Sequence, residues 1–327
     1  MEYPFGTINI TDNMEIAACF DHGFVMPTGV MIYSVCANNR DAEINFHLLV
    51  NENVTAQDRK DLMGTIAGFN NKKLLFYPIK DTIIGKLPLS KQWSTAIYYR
   101  FFLAVFLPHT IDKVLFLDSD IIVRNSLDSL WNTNIEDYSL AAVFDSTLDA
   151  NSETYNRLHY SSKAGYFNAG VMLINLDYWR KIDVVKTFFE YVNLHYGALD
   201  YYDQDVYNAV FYQQKLLLSP KYNFQNAFMF STPKYDCEKY GEEVTSAMND
   251  PVIVHFTDSK PWYKYDRDPN PYNSTFYKYQ DQTQWRGKKI ENRPLKLRLI
   301  NFIAYTLRHL KLKASLKSVY LNIPPVD

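Results

Sequence analysis

The chain has 327 residues with 34 Lys and Arg against 36 Asp and Glu, a formal net charge of −2, which excludes a nucleic-acid binder driven by overall electrostatics. The length suits one large α/β domain or two small ones and is ample for a sizeable core. Cys19, Cys36 and Cys237 show no metal-ligand spacing and fit reduced thiols of a cytosolic protein rather than a disulfide framework.

Residues 1–13 read as an arm before the domain, without the basic and apolar regions of a secretory leader. No apolar run is long enough to span a bilayer, so a cytoplasmic protein is expected. A small first strand is predicted over 16–20, ending at Asp21-His22-Gly23. Pro27 opens a helix to about 37, placed in the first turn where its missing N–H costs nothing. A second strand covers 44–50. Thr55 and Asp58 cap and open a helix to about 69. Strand 73–77 and a helix over 94–106, stopped by Pro108, come next. This strand–helix alternation with short connections is the signature of a parallel α/β sheet.

The run from Asp112 to Val123 is almost wholly apolar, interrupted by Asp118-Ser119-Asp120. It predicts a strand buried on both faces, and ligands of open α/β sheets bind beyond the carboxyl ends of such strands. Two carboxylates this close repel unless a cation lies between them, and all-oxygen ligands suit Mg²⁺ or Mn²⁺ holding phosphate oxygens. An Asp-x-Asp taken alone reads better as a solvated turn; the apolar strand before it and the partners downstream raise its weight.

Beyond 139 the pattern changes. A strand over 139–144 ends at Asp145. A polar, Tyr-bearing loop over 146–165 follows, then a strand at 167–175, helices at 176–196 and 203–213, and a last strand at 252–256; a second Tyr-bearing loop covers 227–241. From Asn292 to Val326 no acidic residue occurs, while Arg293, Lys296, Arg298, Arg308, Lys311, Lys313 and Lys317 are basic. Ile300, Ile303, Leu307 and Leu310 fall on one helical face. That tail suits peripheral attachment to an anionic membrane, or a helix docked on the domain with a solvated basic face.

Four stretches, in this order, carry a resemblance: Lys113 to Asp120 (KVLFLDSD), Phe167 to Leu176 (FNAGVMLINL), Asp203-Gln204-Asp205, and His255 with Lys260-Pro261-Trp262. Together they resemble glycosyltransferase family 8, in particular its bacterial lipooligosaccharide and lipopolysaccharide galactosyl- and glucosyltransferases. The resemblance runs from about residue 15 to 262. It implies a GT-A fold, a Rossmann-like mostly parallel sheet with helices on both faces, followed here by a mainly helical C-terminal extension. It implies a UDP-galactose or UDP-glucose donor, a divalent metal (Mn²⁺, with Mg²⁺ second), and transfer with retention to a glycan or lipid-linked acceptor, without nucleic acid as partner. The expected organisation is an arm over 1–13, a catalytic domain over 14–285 with a nucleotide-sugar half to about 145 and an acceptor half beyond, and a basic tail over 286–327. The expected location is the cytoplasm, with the inner face of the cytoplasmic membrane as an extension.

Carried over residue by residue, Asp118, Asp120 and His255 would hold the metal, and two carboxylates with one imidazole suit Mn²⁺ better than Mg²⁺. Lys260 resembles the diphosphate lysine. Cys19, Phe20 and Asp21 match the uracil and ribose end, Arg100 grips the donor side, and Ser119 joins the donor set. Asn168, Ala169 and Gly170 match a strand start that contacts the sugar. Asp203 and Gln204 match the residues beside the anomeric carbon. With a sugar transferase implied, Asp145 is expected as an acceptor or sugar contact or, equally, as the cap of a turn, and the Tyr-bearing loops 146–165 and 227–241 are expected to read the acceptor, since aromatic faces stack on sugar rings. Two accounts of retention fit: front-face attack with Gln204 steadying the ring's positive charge, which the poor nucleophilicity of an amide favours, and a covalent intermediate on Asp205 or Asp203. Two departures stand out: Thr257-Asp258-Ser259 where the family usually has Gly and one more residue before the lysine, and Gly23 where relatives often have Asn. A catalytically idle UDP-sugar-binding protein and a metal-dependent UDP-sugar hydrolase are the alternative readings.

Overall fold

The computed structural model describes residues 13–84, 87, 95–257, 260–263, 270–290, 295–309 and 321. Of the expected arm, only residue 13 is among them. Asp258, Arg293, Leu310, Lys311, Lys313 and Lys317 lie outside the described residues.

The described residues hold ten strands, most of them separated by helices: β1 (Met14–Phe20), β2 (Ile44–Val50), β3 (Lys72–Pro78), β4 (Lys113–Leu117), β5 (Ile121–Val123), β6 (Leu140–Phe144), β7 (Phe167–Asn175), β8 (Lys215–Leu217), β9 (Phe224–Gln225) and β10 (Ile253–His255). Seven form one sheet in the order β3-β2-β1-β4-β7-β6-β8, and β5-β10-β9 form a second. Pairings β1–β2, β2–β3, β1–β4 and β6–β8 are parallel, while β7 runs antiparallel to both β4 and β6. This is the mostly parallel α/β sheet expected of the GT-A fold.

The apolar run before Asp118 is buried on both faces. Leu115 and Leu117 join one core, with the Val25–Asn38 helix, while Val114 and Phe116 join the other, with Tyr98, Phe101 and Trp179. β7 divides likewise, Val171 and Leu173 one way, Met172 and Ile174 the other. Stripping these side chains of water on both faces is the main apolar contribution the sheet makes to stability.

Thr55 accepts from the Asp58 amide and Asp58 accepts from the Thr55 amide, a complete capping box, but the helix spans Ala56–Thr65 and stops short of residue 69. Three other elements differ from expectation. The helix over 94–106 is a 3₁₀ turn series, Thr95–Phe102, continued by one α-turn, Leu103–Phe106. Three residues per turn puts Ile97 and Arg100 on one face, toward a cavity, and Tyr98 and Phe101 on another, toward the core. The helix over 176–196 breaks into Leu176–Lys181 and Val184–His195 at Asp183, whose φ is 48°. The segment 146–165 is no open loop. It holds the Ser152–Leu158 helix and a miniature core of Leu148, Tyr155, Leu158, Tyr160 and Tyr166.

Beyond the second sheet come the Asn273–Gln280 helix and the Leu295–His309 helix. None of the described helices is long and apolar enough to cross a membrane.

Candidate active site

The turn Asp118-Ser119-Asp120 joins β4 of the large sheet to β5 of the small one. β10 pairs antiparallel with β5, matching His255 with Ile121, so the imidazole arrives beside Asp120 from 135 residues downstream in sequence. Main-chain bonds fix the junction: Asp118 N donates to Gly170 O at 2.8 Å and Phe256 N to Asp120 O at 2.9 Å. One donor atom each from Asp118, Asp120 and His255 lies within 4.8 Å of the others. His255 Nε2 is 3.1 Å from Asp120 Oδ1 and 3.9 Å from Asp118 Oδ2.

The imidazole is aimed by a residue that local sequence does not announce. Asn223 donates through Nδ2 to Asn168 Oδ1 at 2.9 Å, so its Oδ1 is the partner of His255 Nδ1, also at 2.9 Å. Nδ1 therefore carries the proton and Nε2 is the nitrogen turned toward the carboxylates. Gly170 makes the close approach possible. A Cβ there would lie 2.2 Å from His255 Cε1 and 2.9 Å from Asp118 Oδ2. Two hard oxygens, one oriented imidazole and a wall without a side chain fit a small divalent cation of the Mn²⁺ kind.

Positive charge balances the acidic side. Arg100 is 3.1 Å from Asp118 Oδ1 and 3.0 Å from Asp203 Oδ2, and donates to Ala169 O at 3.1 Å. Lys260 Nζ meets Asp120 Oδ2 at 2.5 Å and donates also to Phe256 O. Burial raises the Asp118 carboxyl above its ordinary value, Arg100 opposing and Asp120 adding. For Asp120, burial acts the same way but is outweighed by Lys260 and His255, which hold that carboxyl below the usual range. Burial pushes Asp203 up to about 6 against the pull of Arg100.

Gln204 follows on the Tyr202–Phe211 helix, whose first residue sits at φ 40°, in the left-handed region. Its Oε1 accepts from Ala169 N at 3.0 Å, and its Nε2 donates to Asp145 Oδ2 at 3.2 Å. Asp145 is a hub rather than an exposed carboxylate. Oδ1 accepts from the Thr147 amide and hydroxyl and the Leu148 amide; Oδ2 accepts from Asn168 Nδ2 and Gln204 Nε2. One side chain thus caps the turn that follows β6 and also lines the cavity.

All these groups open on a cavity of about 540 Å³, lined by Arg100, Asp118, Asp120, Asp145, Asn168, Ala169, Gly170, Asp203, Gln204, His255 and Lys260. Four expected residues are not among its lining. Phe20 is buried in the first core. Burial pushes the Cys19 thiol up. Asp21 turns back to accept from Gly23 N at 2.8 Å, and Ser119 shares a 2.8 Å hydrogen bond with the buried Thr28 hydroxyl. The tyrosines of 146–165 are likewise absent from it. The cavity's aromatics are Tyr201, Tyr202 and Phe230, and its further polar walls are Ser146, Thr147, Gln225, Asn226 and Lys234. Of the two loops expected to read an acceptor, each contributes only one end.

Comparison with known proteins follows the same boundaries. The family described as Glycosyl transferase family 8 matches residues 15–266. A putative glycosyltransferase of Haemophilus influenzae is 28% identical over 215 residues, which is 65% of this chain and 64% of that protein, so the match spans less than two thirds of that relative. A lipopolysaccharide 1,2-glucosyltransferase of Escherichia coli is 28% identical over 258 residues, 77% of this chain and 74% of the relative. Among solved structures, the galactosyltransferase LgtC in complex with donor and acceptor sugar analogs superposes with a TM-score of 0.73 at 26% identity, covering 87% of this chain and 99% of that one.

Proposed function

The chain belongs to glycosyltransferase family 8, and on that premise we propose that it is a retaining hexosyltransferase moving galactose or glucose from a UDP-sugar to a hydroxyl of a glycan or glycoconjugate, assisted by a divalent metal. The observation that carries the reading is the meeting of Asp118 and Asp120, from one turn, with His255, from a strand 135 residues further on, beside a cavity that also holds Gln204. The relatives point the same way on donor chemistry, one named a glucosyltransferase and one a galactosyltransferase.

Asp118, Asp120 and His255 would hold Mn²⁺, or Mg²⁺ as second choice. The ion when bound supplies Lewis-acid neutralisation of diphosphate charge. Lys260, already among the acidic groups, brings a second positive charge to the leaving group. Arg100 holds Asp118 and Asp203 together at the cavity wall, leaving Asp203 to accept from sugar hydroxyls. Gln204 presents a carboxamide, a very poor nucleophile, and its carbonyl oxygen steadies positive charge on the ring. The acceptor hydroxyl then enters on the face from which UDP departs, and the departing phosphate takes its proton.

Residues 14–285 form the catalytic domain in this reading. Its two halves, divided at about 145, share one sheet, because β7, β6 and β8 extend the edge begun by β4. The Leu295–His309 helix leaves Leu295, Leu299, Ile300, Phe302 and Ile303 exposed. Apolar exposure within a stretch that has no acidic residue suits an anionic membrane surface, the place of a lipid-linked acceptor.

The test is a donor screen by UDP release with Mn²⁺ and with chelator, followed by an acceptor array on the winning sugar. Slow release from UDP-galactose or UDP-glucose is expected, lost with chelator and in Asp120→Ala. Tight donor binding without release would make the protein an idle binder. Release that no glycan stimulates would make it a hydrolase. Near-normal turnover of Asp120→Ala would dismiss the metal site.

A further inference from the structure

Asp205 lies two residues beyond Asp203 and is wholly buried. Its Oδ2 accepts from Arg157 Nη1 at 2.6 Å and from the amides of Asp200 and Tyr201, each at 2.8 Å. Its Oδ1 accepts from Arg157 Nη2 at 3.1 Å and from the Tyr166 hydroxyl at 2.8 Å. A carboxylate offers about four lone-pair sites, and five donors here crowd them. No lone pair is left to attack an anomeric carbon.

The Tyr166 hydroxyl faces two ways. Its proton goes to Asp205, and its oxygen accepts from Gln204 Nε2 at 3.3 Å. The other partners of the Gln204 amide can each play one role only: the Ala169 amide donates to Oε1, and the Asp145 carboxylate accepts from Nε2. The sense and the tilt of that carboxamide are therefore both dictated. Arg157 comes from the Ser152–Leu158 helix, far from the metal-ligand set in sequence, and also grips Asp200 at 3.0 Å.

We propose that Tyr166 and Asp205 are positioning residues, a buried relay that Arg157 anchors and that holds the Gln204 carboxamide in its working orientation, and that Asp205 is not a nucleophile. The inference rests on the transferase reading of the cavity. It reassigns one of the two carboxylates to which sequence gave a covalent role. It also explains why the 146–165 segment folds into its own small core: its Arg157 must be rigid for the relay to fix anything downstream.

The experiment compares Tyr166→Phe in the wild-type and in the Gln204→Ala background, reading kcat and KM for the UDP-sugar in transfer, with thermal melts alongside. A residue acting through Gln204 loses its effect once the amide is gone. Tyr166→Phe should lower kcat about tenfold, the effect of one misaligned hydrogen bond, with KM within about twofold, and should cost nothing further in the Gln204→Ala background. Equal losses in both backgrounds, or a lowered melting temperature with kcat unchanged, would overturn the relay while leaving the transferase reading intact. A wild-type protein that turns over no UDP-sugar would overturn both. If Tyr166→Phe does not fold, Arg157→Lys, which keeps the charge but loses the two-pronged grip, is read by the same two comparisons.

Discussion

Replacing Gly170 with alanine places a methyl group in the space that the imidazole of His255 and the carboxylate of Asp118 share. The new Cβ would lie 2.2 Å from His255 Cε1, 2.8 Å from its Nδ1 and 2.9 Å from Asp118 Oδ2, where ordinary contact begins at 3.4 Å. The ring must retreat by roughly 1.2 Å or β7 must shift by as much, since repulsion rises steeply inside contact distance. Retreat also strains the 2.9 Å bond from Nδ1 to Asn223, the contact that orients the ring. Loss of such an orienting contact costs about 10–100-fold in metal affinity, and a misplacement near 1 Å costs about 100-fold in rate. Overpacking adds about 1–3 kcal/mol of destabilisation, small enough for the variant to fold. Three readouts separate these effects: UDP release as a function of Mn²⁺ concentration, Mn²⁺ binding without donor, and urea unfolding. The expected result is a rise of tenfold or more in the Mn²⁺ needed for half-maximal release, a matching loss in direct binding and only a modest shift in the urea midpoint. Wild-type Mn²⁺ affinity in the alanine variant would refute the placement of the ion between Asp118, Asp120 and His255.

Arg157→Met leaves the wholly buried Asp205 without its cationic partner, and breaking a buried pair in this way should cost about 3–5 kcal/mol in chemical denaturation; the exposed Lys186–Glu190 pair, 3.9 Å apart, should be silent to the same measurement. Lys215 is buried, donates to Gly165 O and Tyr212 O, and is lowered by burial from 10.5 to about 8. Below about pH 8 the amine is charged in both folded and unfolded chains and its burial penalty is full; between 8 and 10.5 the folded protein has shed a proton that the unfolded chain keeps, so stability rises with pH. The stability difference between wild type and Lys215→Met should therefore climb by up to ~3 kcal/mol across that window, and a flat difference in urea midpoints would contradict it. Full-length protein should sediment with anionic vesicles and a chain ended after Gly287 should not; equal sedimentation would remove the tail from membrane attachment.

The parts of the site that were legible share a physical cause. Strands buried on both faces need uninterrupted apolar runs, so a polar residue at the end of one stands out. Asp118 and Asp120 after Leu117 stood out in this way, while His255 after Val254 did so only with the Lys260-Pro261-Trp262 that follows it and the resemblance that the four stretches carry together. The residues that escaped notice aim other groups. Asn223 orients His255, and Tyr166 orients Gln204, yet each sits among residues of mixed polarity with nothing local to mark it. Their partners lie 32 and 38 positions away and meet them only through the fold. Tyrosine adds its own ambiguity, because one ring suits a core and a sugar face alike. In 146–165 the core claimed Tyr155 and Tyr160, while Tyr201 and Tyr202, next to Asp203 and Gln204, line the cavity.

Strand direction was the other property that apolar patterning could not supply, and the site depends on it. An apolar run such as 171–174 reads the same forwards and backwards. Had β7 run parallel to β4, its first residues would lie at the opposite edge of the sheet from Asp118, on the order of 15 Å away for strands of this length. Because it runs antiparallel, Leu117 pairs with Val171 and the start of β7 arrives at the end of β4. Gly170 thereby meets Asp118, and the Ala169 main chain meets both Arg100 and Gln204. The start of one strand and a carboxylate pair at the end of its neighbour meet only in this arrangement. The reversal of β7, antiparallel to both β4 and β6 inside a mostly parallel sheet, is thus the feature that brings these residues together.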